Sequence, residues 1–125
     1  MIETSSTLEF SAVPPLALDI IWPAASELLA PAVEVSKGRY SLHEMWRELN
    51  ECSLGLWVVL DGSEPVAAIT TRIVDYPECR ALAMDWIGGS RMEEWLPMAQ
   101  ARLGEYALDQ GCTQLEGYGR KGWER

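Results

Sequence analysis

Residues 55–74 read GLWVVLDGSEPVAAITTRIV, and this stretch decides the fold because it joins two apolar, β-rich runs through Asp61-Gly62. Asp-Gly between two such runs is a strong signal for a tight hairpin, since glycine readily adopts the backbone conformation that the turn requires. A second turn at Asp75–Glu78 leads into a third run, from Arg80 to Ile87. The sequence therefore predicts a three-stranded antiparallel meander.

Two helices are predicted before the meander. Apolar residues recur at three- and four-residue steps from Leu16 to Val35, which is typical of a helix with one buried stripe. Pro23 and Pro31 are expected to kink that helix or to split it. A shorter helix from Leu42 to about Cys52 follows Ser41–Glu44, which has the sequence of a capping box.

The remaining elements lie at either end of this central part. A short strand is expected at Leu8–Val13. After the meander, Ser90–Glu93 has the pattern of a second capping box and opens a long helix, Arg91 to Gln110, which Gly111 closes. The run from Thr113 to Tyr118 is predicted to return to the sheet as a strand after this crossover.

Length, composition and charge limit the class of protein. A chain of 125 residues with 48% hydrophobic and 23% charged residues is typical of one globular domain, here residues 1–125. The formal net charge of −9 disfavours nucleic acid and anionic membrane as partners, because nucleic-acid affinity comes mainly from lysine and arginine.

No signal peptide is recognisable, and we expect no stretch that approaches the roughly 20 apolar residues of a membrane span. We expect a cytoplasmic or virion location.

Metal binding and disulfide formation are not indicated by the thiols and the imidazole. Cys52, Cys79 and Cys112 are odd in number and far apart, and none is part of a CxxC pair. His43 is the only histidine, and it falls at the second position of a predicted helix, on the solvent side. The sequence therefore predicts no metal site, and it gives His43 no catalytic role.

The order of elements resembles the GNAT (Gcn5-related N-acetyltransferase) fold. Three stretches of sequence, Gly55–Val59, Thr70–Pro77 and Gly119–Trp123, are similar to GNAT-like proteins of bacteriophages and prophages. The resemblance implies an α/β fold with a mixed, mainly antiparallel sheet and helices packed against it. It also implies a chain that stops after the strand following the long helix, without the C-terminal elements of the family.

The resemblance further implies where acetyl-CoA would bind. GNAT enzymes hold the cofactor's pyrophosphate on backbone amides at the start of the long helix, and the matching residues here are Ile87, Gly88, Gly89, Ser90 and Arg91. The two glycines are adjacent, unlike the family's pattern. Carboxylates from the two glutamates that follow Met92 would repel a diphosphate at a helix N-terminus. We therefore expect no cofactor, with acetyl-CoA as the alternative.

Four further residues are candidates for function, namely Asp85, Tyr118, Trp123 and Arg120. Asp85 interrupts an apolar strand, and the resemblance implies that a carboxylate on a central strand can act as general base. Tyr118 is the second catalytic candidate. Trp123 is flanked by Arg120 and Arg125, and tryptophan is a residue type enriched at the hot spots of protein interfaces. Trp123 and Arg120 are therefore the predicted interface residues.

Three functions remain open on the sequence. The first is a degenerate, non-catalytic GNAT-like protein of phage or prophage type, acting as a virion-associated or assembly module with a protein partner or a second copy of itself. The alternative is a small acetyl-CoA-dependent N-acetyltransferase, whose acidic surface suits a cationic amine substrate. The third is an inhibitor that binds a basic protein by acidic mimicry.

Overall fold

The computed structural model describes residues 8–117 and contains one mixed sheet with helices on both faces. The strands lie in the order β1-β2-β3-β4-β6, and β5 pairs with β3 beside this path. The strands are β1 Leu8–Val13, β2 Gly55–Asp61, β3 Glu64–Asp75, β4 Arg80–Met84, β5 Ile87–Gly89 and β6 Gln114–Gly117. The helices are α1 Leu18–Glu34, which follows a 3-10 turn at Pro15–Ala17, α2 Leu42–Asn50 and α3 Met92–Asp109.

The hairpin forms as predicted, and β4 completes the antiparallel meander but ends earlier than predicted. Asp61 pairs with Glu64 across a two-residue turn, in which Gly62 has a φ of 65°. β1 adds to the meander by antiparallel pairing with β2. β6 is parallel to β4, so α3 is the crossover between them. This arrangement confirms the predicted α/β fold with a mainly antiparallel sheet.

The third strand of the meander is broken, and the prediction of one strand from Arg80 to Ile87 is wrong. Ala83 pairs with Arg72, and Ile87 pairs with Ile69. Two residues therefore lie between these pairs on β3, but three lie between them on the facing strand. The extra residue makes a bulge at Asp85 and Trp86, which ends β4 and re-aims the chain before β5.

Two hydrophobic cores lie on opposite faces of the sheet. Because side chains alternate along a strand, Trp57 and Val59 face α3, while Leu56 and Val58 face α1 and α2. α3 contributes the buried residues Trp95, Ala99, Leu103 and Ala107 to the first core. α1 and α2 contribute Leu18, Ala25, Leu29, Val33, Met45 and Leu49 to the second.

Helix α1 is continuous through Pro23 and Pro31, so the expected split does not occur. With the preceding 3-10 turn it forms a 20-residue segment, Pro15–Glu34, with a mean hydropathy of 1.4. By length and composition alone this segment could cross a membrane, which corrects the expectation from the sequence. Its inner residues pack on β3 and β5, as expected for a helix that covers a sheet.

The two capping boxes have different outcomes. The Ser41 hydroxyl accepts a hydrogen bond from the Glu44 amide at 3.0 Å, as predicted, although the Glu44 carboxylate pairs with Arg47. The box at Ser90 does not form. The Ser90 amide donates to the sheet, its carbonyl accepts from Trp95, and the helix N-cap is Arg91 without a side-chain cap.

Candidate ligand-binding cleft

A cleft of about 730 Å³ lies between α1 and the broken strand. One wall is apolar and comes from the second half of α1. The opposite wall comes from the bulge, from β5 and from Arg72 of β3. The lining residues are Leu28, Pro31, Ala32, Val35, Arg72, Asp85, Trp86, Ile87, Gly88 and Gly89. We name this space the α1 cleft, and its size is in the range of small-molecule sites.

Asp85 is the carboxylate of the α1 cleft. Its side chain is only 15% exposed, because the bulge turns it toward the face of the sheet that α1 covers. Oδ2 accepts hydrogen bonds from Arg72 Nε at 2.9 Å and Nη2 at 2.8 Å. Oδ1 is buried and accepts no hydrogen bond from any described residue. Leaving a buried carboxylate oxygen without a hydrogen-bond donor costs free energy. Asp85 Oδ1 can therefore still accept a hydrogen bond.

Thr70 adds a second unsatisfied oxygen on the same side of the sheet. It lies two residues before Arg72, so alternation places the two side chains on one face. Its amide donates to the Trp86 carbonyl at 3.0 Å, which places Thr70 directly opposite the bulge. Thr70 Oγ1 is buried and also has no hydrogen-bond partner within residues 8–117. The break in the strand thus has two polar atoms with bonding capacity left over.

An aromatic pair lies beside this polar region. Tyr40 stacks on Trp86 with the ring centroids 4.8 Å apart and the rings 8° from parallel. The Tyr40 hydroxyl donates to Glu48 Oε1 at 2.6 Å. Burial, the hydrogen bond to Glu48 and the negative charges of Glu48 and Asp85 raise the pKa of Tyr40 well above its usual range. Tyr40 was not a candidate on the sequence, because it lies between two predicted helices and belongs to no motif.

The β5–α3 turn is the place where the resemblance implies a cofactor. A Cβ at Gly88 would overlap the carbonyl oxygen of Leu28, and a Cβ at Gly89 would overlap the carbonyl oxygen of Val66. The space that each glycine leaves free is therefore filled by the protein's own main chain. These glycines permit close packing of α1 and β3 on β5 and do not form a cradle for a ligand.

Arg91 is engaged by carboxylates of its own chain. Its guanidinium donates to Asp61 at 2.6 Å and to Glu94 at 3.0 Å. These two bonds raise the pKa of Arg91, and the bond from Arg91 lowers the pKa of Glu94. Glu93 and Glu94 add negative charge to the first turn of α3. The residues of this turn therefore do not fit a diphosphate.

The predicted site residues separate into three groups. Asp85, Ile87, Gly88 and Gly89 meet in the α1 cleft. Ser90 and Arg91 are bound into the start of α3 and the β2–β3 hairpin instead. The predictions for Tyr118, Arg120 and Trp123 concern positions outside the described residues and stay predictions.

The ionisable residues set aside on the sequence lie elsewhere. His43 is exposed on α2. Cys52, Cys79 and Cys112 are free thiols. Among residues 8–117, no group of three or more His, Cys, Asp or Glu side chains is placed to hold a metal ion.

Neither a protein-family model nor a curated protein matches the sequence. Solved structures do match the fold. An aminoglycoside acetyltransferase, meta-AAC0020 from an uncultured soil metagenomic sample, solved with sisomicin, has a TM-score of 0.66 at 12% identity, over 92% of this chain and 79% of that one. The aminoglycoside N-acetyltransferase AAC(6')-Iy in complex with CoA has a TM-score of 0.66 at 12% identity, over 94% and 80%.

A third structure extends the likeness to an enzyme with a different type of substrate. The ribosomal-protein-alanine N-acetyltransferase of Brucella melitensis biovar Abortus has a TM-score of 0.62 at 12% identity, over 92% of this chain and 82% of that one. Identities this low show the fold and leave activity open. The chain has the fold of the GNAT acetyltransferases.

Proposed function

We propose that this protein is a GNAT-fold binding domain that takes a cationic amine in the α1 cleft without transferring an acetyl group to it. One contrast carries the proposal. The α1 cleft is lined by Asp85, whose buried Oδ1 has no donor among the described residues, whereas the β5–α3 turn is filled by the protein's own main chain and ion pairs. The α1 cleft is thus open to a ligand, and the β5–α3 turn is used for packing.

The chemistry of the cleft supports an amine as the ligand. An ammonium group has three donors, and Asp85, which lines the cleft, has one carboxylate oxygen with unused acceptor capacity. The wall formed by Leu28, Ala32 and Val35 suits a hydrocarbon portion attached to that ammonium group. Arg72 already neutralises the single charge of Asp85, so one ammonium group attached to an apolar portion fits this site better than a bare polycation.

Asp85→Asn tests the amine site, because it removes the charge and changes the side-chain volume very little. Calorimetric titration should show saturable binding of n-hexylamine and weaker binding of sisomicin, the aminoglycoside bound in one structural neighbour, because sisomicin carries several amino groups. Asp85→Asn should weaken that binding about tenfold or more. Asp109→Asn, on the exposed C-terminal end of α3, is the matched control. Equal binding by all three proteins, or none by the unchanged protein, would refute an amine site at Asp85.

A second candidate is an acetyl-CoA-dependent N-acetyltransferase that acts on a cationic amine. The comparisons favour it over a non-catalytic role, since the fold neighbours named above are acetyltransferases and one was solved with CoA. Asp85 lies in the bulge between β4 and β5, next to the central-strand position of the base that the resemblance implies. The filled β5–α3 turn is the observation against it.

Titration with acetyl-CoA decides between the two candidates. The binding-domain proposal expects no heat of binding at millimolar acetyl-CoA, and no release of CoA thiol when an amine is added. Micromolar affinity for acetyl-CoA would overturn that proposal in favour of the enzyme. The amine titration is independent of this outcome, because it reports on the α1 cleft alone.

A further inference from the structure

The outer face of α1 and its preceding turn is apolar and exposed. Leu16, Ile20 and Val35 are 96%, 79% and 74% exposed. Pro23 and Pro31 are exposed as well. Since residues three and four apart in a helix share a face, these five side chains form one stripe along the helix. An exposed apolar stripe on a helix marks an interaction surface more often than an isolated apolar side chain does.

The charges on this face all have one sign. Asp19, Glu27 and Glu34 are exposed among the apolar side chains of the stripe. No lysine, arginine or histidine occurs in residues 8–36, and the first basic residue of the chain is Lys37. We name the stripe together with these three carboxylates the α1 outer face. It combines apolar contact area with negative charge and has no cation of its own.

We propose that the α1 outer face docks a cationic amphipathic helix of another protein. Such a helix offers apolar side chains to Leu16, Ile20 and Val35 and offers lysine or arginine to the three carboxylates. The segment Pro15–Glu34 has 20 residues, so it presents about 30 Å of helix, enough for several turns of a partner.

Charge argues against the two other occupants of such a face. A second copy of this chain would bring carboxylates against carboxylates, which is unfavourable. An anionic membrane would repel a chain with a formal net charge of −9. Pro31 and Val35 lie at the border of both surfaces, since they also line the α1 cleft, but Leu16, Ile20 and Glu27 do not line it, so the proposal goes beyond the amine-binding function.

The test uses a fluorescein-labelled 18-residue peptide of lysine and leucine with helical amphipathic spacing, measured by fluorescence anisotropy. A scrambled peptide of the same composition has the same charge without an apolar face. The unchanged protein should bind the amphipathic peptide at least about tenfold more tightly than the scrambled one. High salt should weaken this binding, because exposed charge pairs are screened.

Two variants locate the contact, and each has a matched control on α3. Ile20→Ser and Glu27→Lys change exposed residues of the α1 outer face, and each should weaken peptide binding about tenfold. Leu108→Ser and Glu105→Lys make the same types of change at exposed positions of α3 and should leave binding unchanged. Thermal unfolding of all four variants confirms that they fold.

The proposal fails if the scrambled peptide binds equally well or if the α3 variants weaken binding as much as the α1 variants. It also fails if light scattering shows a dimer that Ile20→Ser dissociates, since the occupant would then be a second copy. Binding to phosphatidylcholine vesicles that Ile20→Ser abolishes would identify a membrane instead. None of these outcomes depends on Asp85, so failure here is distinguishable from failure of the amine site.

Discussion

Gly88 of β5 lies directly against the main chain of α1 at Leu28, so closely that a Cβ on Gly88 would overlap the Leu28 carbonyl oxygen. This contact seats α1 on the broken strand and forms one end of the α1 cleft. It also gives a physical reason for the first glycine of a pair that resembles part of a phosphate loop. The glycine provides room for a helix, and the helix fills that room.

Gly88→Ala should destabilise the protein by about 2–3 kcal/mol or more, since main-chain atoms of α1 would have to move to admit the methyl group. Gly104→Ala is the control. Gly104 lies inside α3, and a methyl group there would meet no atom within 4 Å beyond its own stretch of helix, so alanine should stabilise by about 0.5–1 kcal/mol. Urea unfolding of both variants measures the difference. Equal stability of the two variants would contradict the close contact at Leu28.

Arg91→Gln should reduce the loss of stability in acid. The hydrogen bond from Arg91 lowers the pKa of Glu94 in the folded protein. A carboxyl group with a lowered folded pKa stabilises the protein above its unfolded pKa of about 4.3, and this contribution is lost as the pH falls through the folded value. The difference in unfolding free energy between pH 7 and pH 3 should therefore be smaller in Arg91→Gln. Glu105→Gln, on an exposed face of α3, should leave that difference unchanged.

Tyr40→Phe removes the hydrogen bond to Glu48 and should cost about 1 kcal/mol at pH 7. The folded pKa of Tyr40 is raised, so its contribution is fully present below the unfolded value of 10.0 and is lost as the pH rises above it. The unchanged protein should therefore lose more stability between pH 9 and pH 11 than Tyr40→Phe loses. Unfolding measured across this range checks the sign, and parallel curves would show that Tyr40 is not responsible.

Cys112 should resist thiol reagents in the folded protein. Its side chain is buried, and this burial raises the pKa of the thiol and keeps it in the less reactive protonated form. Cys52 is exposed and is the internal control. Reaction with Ellman's reagent, followed by mass spectrometry of the peptides, should label Cys52 quickly and Cys112 only after denaturation. Rapid labelling of Cys112 under native conditions would contradict its position in the core that α3 covers.

Much of the fold could be predicted from local sequence. The Asp61-Gly62 hairpin, the Ser41 cap and the end of α3 at Gly111 depend on residues within one turn of each other, so their signals are local. The alternation of buried side chains in β2 likewise follows from the period of a strand. The element order then leads to the GNAT fold, which the structural comparisons confirm.

The sequence-based predictions fail where a backbone or side-chain group finds its partner in another strand of the sheet. Ser90 has the sequence of an N-cap, but its amide donates to Val66 and its carbonyl accepts from Trp95, so the helix starts later. Arg91 forms an ion pair with Asp61 of the β2–β3 hairpin, which is 30 positions away in the sequence, so only the fold brings the two side chains together. No local pattern could have indicated Val66 as a partner of Ser90 or Asp61 as a partner of Arg91.

The sequence by itself determined most of the elements, the faces they bury and the acidic character of α1, because each of these depends on neighbours a few residues apart. Only the tertiary structure decided that Asp85 lines a cleft with one carboxylate oxygen to which no described residue donates and that Gly88 packs against the main chain of a helix. The physical reason is that a one-residue bulge sets both, and its position depends on how β3 pairs with two strands at once.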